Sequence, residues 1–109
     1  MLDIKDWLNT TGIAFENTVW KKTPEYPYGI FLDESDTRGA DDKLFIKEHD
    51  LNIEIYSDTQ KGITCAEESI DRFLCGNGVG YTYLGREWDD QEKHFQSSYH
   101  FSLTEKLED

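Results

Sequence analysis

A hydroxyl becomes a nucleophile only beside a base that can take its proton, and the serines of this chain are not placed that way. Ser35, Ser57, Ser69, Ser97, Ser98 and Ser102 fall in no GxSxG elbow. His94 and His100 sit on one face of the last predicted strand, a separation of roughly 20 Å in extended chain, too far for a shared metal or relay. His49 precedes the apolar part of its own strand, so all three histidines are expected to be solvated. Asp33, Glu34, Asp36, Asp41 and Asp42 offer enough carboxylates for a calcium loop. Counted from Asp33, however, Arg38 stands where an EF-hand needs glycine and Leu44 where it needs glutamate. Gly76-Asn77-Gly78-Val79-Gly80 ends a helix and opens a strand, whereas a phosphate cradle needs the helix N-terminus aimed at the anion. Acids are so numerous that no two are marked as a glycosidase pair. The expectation is a protein that is not an enzyme and has neither catalytic residues, metal nor cofactor.

Cys65 and Cys75 lie on one predicted helix, roughly 15 Å apart along its axis. A disulfide needs Cα atoms within about 7 Å, and no CxxC pair is present to seed a metal site. They read as two small, partly buried helix residues folding in a reducing cytoplasm. Eleven basic residues against 23 acidic ones give a net charge of −12. Such a surface repels phosphate backbones and disfavours nucleic-acid binding through a basic patch. It suits basic partners, a passage to which DNA must not stick, or simply a solvated exterior. No run of about 18 apolar residues spans a membrane. Met1 to Ile13 carries Asp3 and Asp6 and does not read as a signal peptide.

The elements that must carry these residues form one domain, 1–109, since the length supports a single core. The aromatic share of 14% lets that small core be sufficient. The scaffold runs from Lys43 to Gly78. Leu51, Ile53 and Ile55 alternate with polar residues as in a half-buried strand, which Leu44-Phe45-Ile46 begins. Ser57-Asp58-Thr59 caps a helix whose Ile63, Ala66, Ile70, Phe73 and Leu74 make one stripe, ended by Gly76 to Gly78. A short first helix runs from about Asp3 to Thr10, with Ile4, Trp7 and Leu8 on its apolar face. A strand follows over Ile13 to Lys21. The Pro24 and Pro27 cluster leads into a buried strand, Tyr28 to Leu32. Asp33 to Asp42 is predicted to be a long, exposed, acidic hairpin loop. Val79 to Trp88 is a strand, Asp89 to Glu92 an acidic turn, and the last strand sets Phe95, Ser97, Tyr99, Phe101 and Leu103 on one face. The fold class is α+β, a mostly antiparallel sheet packed by one main helix and a short N-terminal helix.

From Pro24 to Lys106 the chain resembles the small tail terminator, or tail-completion, proteins of long-tailed bacteriophages and prophages, also described as head–tail joining or minor structural proteins. The residues that carry the likeness are Pro27-Tyr28-Gly29-Ile30-Phe31-Leu32-Asp33, the loop with Gly39-Ala40-Asp41-Asp42, and His49 to Asp58. The helix with Glu67, Ile70 and Leu74 and the closing Tyr99-His100-Phe101 complete the set. Met1 to Thr23 is only generically similar, and Trp20 and Trp88 map onto no family motif. The resemblance implies an α+β protomer that forms a ring, commonly of six, on assembly and is compatible with a monomer when free. The ring caps the tail tube protein at full length, offers its other face to the head connector protein, and lets DNA pass without specific binding. It implies the head-proximal end of a virion tail, after assembly in a bacterial cytoplasm, and no membrane. Glu34, Asp36, Arg38, Asp41 and Asp42 are the candidate contacts with tube, connector or neighbour. The competing reading is an acidic inhibitor that blocks a basic, nucleic-acid-handling partner by charge steering.

Overall fold

Leu51, Ile53 and Ile55 are fully buried on one side of a central strand, and the rest of the chain is arranged to cover them. The computed structural model describes residues 3–39 and 44–108, with side chains over 3–35 and 47–105. In chain order the elements are α1 (Ile4–Asn9), β1 (Ala14–Asn17), β2 (Tyr28–Gly39), β3 (Leu44–Ser57), α2 (Gln60–Gly76), β4 (Tyr81–Asp89) and β5 (His94–Glu108). The strands form one five-stranded sheet in the order β1-β2-β3-β5-β4. The architecture is α+β, with both helices on the same face of the sheet.

The helices start and stop where side-chain chemistry dictates. Asp3 caps α1 by accepting from the Asp6 N–H at 3.1 Å, and Thr59 caps α2 by accepting from the Gly62 N–H at 2.9 Å. Asn77 closes α2, its side-chain amide donating to the Phe73 carbonyl at 2.7 Å, and Gly78 follows at φ 70°. Ile63, Ala66, Ile70 and Leu74 are buried against the sheet, with Phe73 packed beside them. Phe73 also meets Trp7 of α1 at 4.7 Å between ring centroids, so the two helices share one apolar seam. The Asn9 side chain accepts from the Phe15 N–H at 2.8 Å and ties α1 to β1. Gly29 is required where Phe15 crosses β2: a Cβ there would lie 2.5 Å from the Phe15 ring.

Three of the four strand pairings are antiparallel, as expected, and only β1 pairs parallel, with β2, which makes the sheet mixed. Three expectations are corrected. β1 ends at Asn17 instead of reaching Lys21, because Thr18 adopts φ 66° and turns the chain out of the strand. That conformation is unfavourable for a β-branched residue and stops regular pairing. Cys65 and Cys75 are exposed, since both fall off the apolar stripe of α2. β4 begins at Tyr81, two residues later than expected, and bulges between Tyr83 and Gly85. Gly85 supports that irregularity at φ 125°.

Ile53→Asp places an unpaired charge at the centre of the buried row. The loss of several kcal/mol is comparable with the whole stability of a small domain, about 5–15 kcal/mol. The variant is expected to show no cooperative thermal transition by circular dichroism, and unchanged melting would refute the inward assignment of this face.

Candidate functional site

The sheet outruns its helices. β1 ends opposite Phe31, and β4 begins opposite Phe101. Beyond those points β2, β3 and β5 continue as a three-stranded ribbon, with Glu34 opposite Asp50 and Asp50 opposite Ser102. Among the described residues no strand pairs with the outer edge of β2 from Leu32 onward, nor with that of β5 from Ser102 onward. The result is an elongated molecule, 52 × 29 × 21 Å.

The acidic hairpin loop predicted over Asp33 to Asp42 is therefore corrected as far as Gly39. Glu34, Asp36 and Arg38 lie on β2, opposite Asp50, Glu48 and Ile46 of β3. Asp41 and Asp42 lie outside the described residues. Local composition misleads here because Asp, Ser and Gly disfavour strands, whereas pairing along all of β3 overrides that preference. Glu34 is exposed on the face away from the helices, beside a broad cavity of about 830 Å³ that Glu48, Asp50 and His100 also line.

At the base of the ribbon, where the apolar core gives out, His49 is buried with only 1% of its side chain exposed. Its Nδ1 lies 2.8 Å from Asp33 Oδ2 and its Nε2 lies 3.2 Å from Glu105 Oε2. One residue from each strand of the ribbon thus meets on the core-facing side. An ionised carboxylate only accepts, so both contacts are hydrogen bonds when the imidazole carries both its protons. Asp33 Oδ1 is buried with no partner among the described residues. His94 is buried as well, with Nδ1 3.0 Å from the Tyr26 hydroxyl. Of the three histidines expected to be solvated, only His100, paired with Asp50, is substantially exposed. The overlooked signal is parity: His49 continues the inward row of Leu51, Ile53 and Ile55, and Glu105 that of Tyr99, Phe101 and Leu103.

A second polar node joins α2 to β4 and β5. Glu67 accepts from Arg86 through both carboxylate oxygens, with Nε at 3.1 Å, from the Tyr83 hydroxyl at 2.9 Å, and from the buried Ser97 hydroxyl. Burial pushes the Glu67 carboxyl up, but the bonds from Arg86, Ser97 and Tyr83 outweigh it and hold the group below its ordinary value. Tyr81 donates to Asp71 at 2.7 Å, and that bond, followed by burial, pushes its phenol up to about 12. Ser97 is fully buried, and its hydroxyl donates to a carboxylate that Arg86 and Tyr83 also hold, so this node braces α2 against β4 and β5. Among the described residues no group of three or more His, Cys, Asp or Glu is arranged to hold a metal ion, and no helix is long and apolar enough to cross a membrane. Neither a protein-family model nor a curated protein matches this chain.

Removing one partner of a mostly buried charged set leaves the others unpaired. His49→Ala is expected to cost about 2–4 kcal/mol in urea denaturation, whereas His100→Ala, at an exposed pair, should cost less than about 1 kcal/mol. Equal effects would contradict the anchoring role of His49. Because the folded Glu67 carboxyl titrates below its ordinary 4.5, its contribution is complete above that pH and is lost as pH falls through the lower folded value. The stability gap between the parent and Glu67→Gln should therefore narrow on acidification, measured as denaturation midpoints across that range.

Proposed function

We propose that this chain is a structural protein of a long-tailed phage particle. It assembles as a ring of six copies, caps the finished tail tube and joins it to the head connector. The observation that carries this reading is the ribbon with two different free edges. The edge offered by β2 and the edge offered by β5 lie on opposite sides of the same three strands. An interface between two unlike patches repeats head to tail, and it closes into a ring when the rotation per subunit divides a full turn. Strand edges supply the main-chain hydrogen bonds for such a joint. Polar side chains on the ribbon keep free subunits from pairing indiscriminately, which fits a protein that assembles only on a tube end.

Charge supports the same reading. A net charge of −12 makes each subunit repel DNA, which favours a conduit through which the polymer slides. The outward face of the ribbon contributes Glu34, Glu48 and Asp50 to that field. Glu34, Asp36 and Arg38 are the proposed contacts within the described ribbon, and Asp41 and Asp42 are proposed to join them at its tip.

Shortening the ribbon in register tests this. Replacing residues 37–47 by Asn-Gly joins Asp36 to Glu48, a pair already opposite each other, through a two-residue turn. The core and the Asp33–His49 contact are retained, although Glu105 loses its partner Lys47 on β3, so the far-ultraviolet spectrum and the cooperative melt should persist. Rings on purified tail tubes should be lost, and particles made with the variant should show unjoined tails of irregular length in electron micrographs. Normal infectious particles would remove the role given to the ribbon. An intact protein that stays monomeric beside tail tubes and binds one basic protein tightly would be the inhibitor instead.

A further inference from the structure

The sheet face opposite the helices is covered at one end by an aromatic cluster that neither the core nor the ribbon uses. Thr18 turns the chain out of β1, and residues 19–27 pass over that face. The Trp20 indole N–H donates to the Gly29 carbonyl at 2.9 Å, which fixes the ring beside β2. Tyr26 stacks on Tyr28 at 5.3 Å, Tyr28 meets Tyr56 at 5.3 Å, and Tyr56 meets His94 at 4.8 Å. The Tyr26–His94 contact closes this set, and Trp20 stands edge-on to Tyr28 at 6.3 Å. Next to the cluster lies a cavity of about 320 Å³ lined by Trp20, Tyr28, Tyr56 and His94, with Asp89 and Glu92 also in its wall. Among the described residues no lysine or arginine lines it.

We infer that this cavity binds a cationic side chain, an arginine, presented by a partner protein. Three ligand chemistries compete for an aromatic recess, and the carboxylates decide between them. An anion is repelled by Asp89 and Glu92. Asp89 accepts from the Gln91 and Glu92 N–H groups at 3.0 and 3.2 Å, and a neutral apolar group would strip water from both carboxylates without offering them a donor. A guanidinium satisfies both features, because it stacks on aromatic faces and is more weakly hydrated than an ammonium. The surrounding field has the right sign. Burial first, then the negative charges of Asp58 and Glu92, raises the Tyr26 phenol, and Tyr28 is raised by burial, by Tyr26 and by Glu92. An exposed Val19, 68% accessible at the cavity, gives the partner backbone an apolar surface to rest on. The inference is independent of ring assembly, since the cavity would take an arginine from any protein that presents one.

Titration of the labelled protein with an acetylated Gly-Arg-Gly amide, followed by heteronuclear NMR, tests it. The indole signal of Trp20 and the ring signals of His94 should move saturably, while the indoles of Trp7 and Trp88 stay in place. The citrulline peptide, equal in shape but neutral, should bind at least about fivefold more weakly, and the lysine peptide should fall between them. Glu92 is exposed, so Glu92→Gln should leave the melting curve unchanged and weaken the arginine peptide by about threefold, as should added salt. Absence of a saturable shift, equal binding of the citrulline peptide, tighter binding of lysine than of arginine, or no effect of Glu92→Gln would each overturn the assignment.

Discussion

The pairing of β3 on both of its edges is the constraint from which the rest of the structure follows. All 14 of its residues pair with β5, and most pair with β2 as well. Side chains alternate along a strand, so a slip of one residue would turn Leu51, Ile53 and Ile55 to the opposite face and expose the core. The same register then governs positions that have no apolar reason to point inward. It carries Ser97 to Glu67 and His49 to Asp33 and Glu105.

Those two polar nodes sit where burial of apolar surface stops being sufficient. Glu67 gathers Arg86, Ser97 and Tyr83 under the N-terminal half of α2, so that β4 is held to the helix by charge as well as by packing. His49 gathers one carboxylate from each flanking strand at the root of the ribbon. Buried groups of this kind add little net stability once their desolvation is counted, and they are costly to break in part. Their effect is to hold three strands in one mutual register as the sheet leaves its helical cover. The ribbon leaves the core as a continuation of the same paired strands.

The molecule divides its surface accordingly. One face is consumed by the helices and the core. The ribbon offers strand edges, which recognise backbone and are indifferent to most side chains. The opposite face has an aromatic recess near Trp20 and acidic side chains along β2 and β3, which recognise charge. The ribbon edges and the recess lie apart on the sheet, so the ring contact and the arginine contact proposed above do not compete for one surface. The buried His49 and Ser97 and the largely buried Glu67 are engaged in hydrogen bonds between elements.

Composition and periodicity by themselves determined the α+β class, the order of its elements, the apolar stripe of α2, its start within Ser57 to Thr59 and its stop at Gly76 to Gly78, and the inward row of β5, because each depends on residues close in the chain. Distance along the sequence is what hid the remainder. Asp33, Glu34 and Asp36 read as loop because their own preferences oppose a strand, and only a partner strand ten or more residues away reverses that. His49 and Glu105 are 56 positions apart, and Tyr26 and His94 are 68 apart. No local pattern marks such pairs, although the parity of His49 with Leu51 hinted at its burial. The parallel seat of β1, the ribbon with its two free edges and the aromatic recess were decided by tertiary structure, because each exists only after the chain has crossed the sheet and returned.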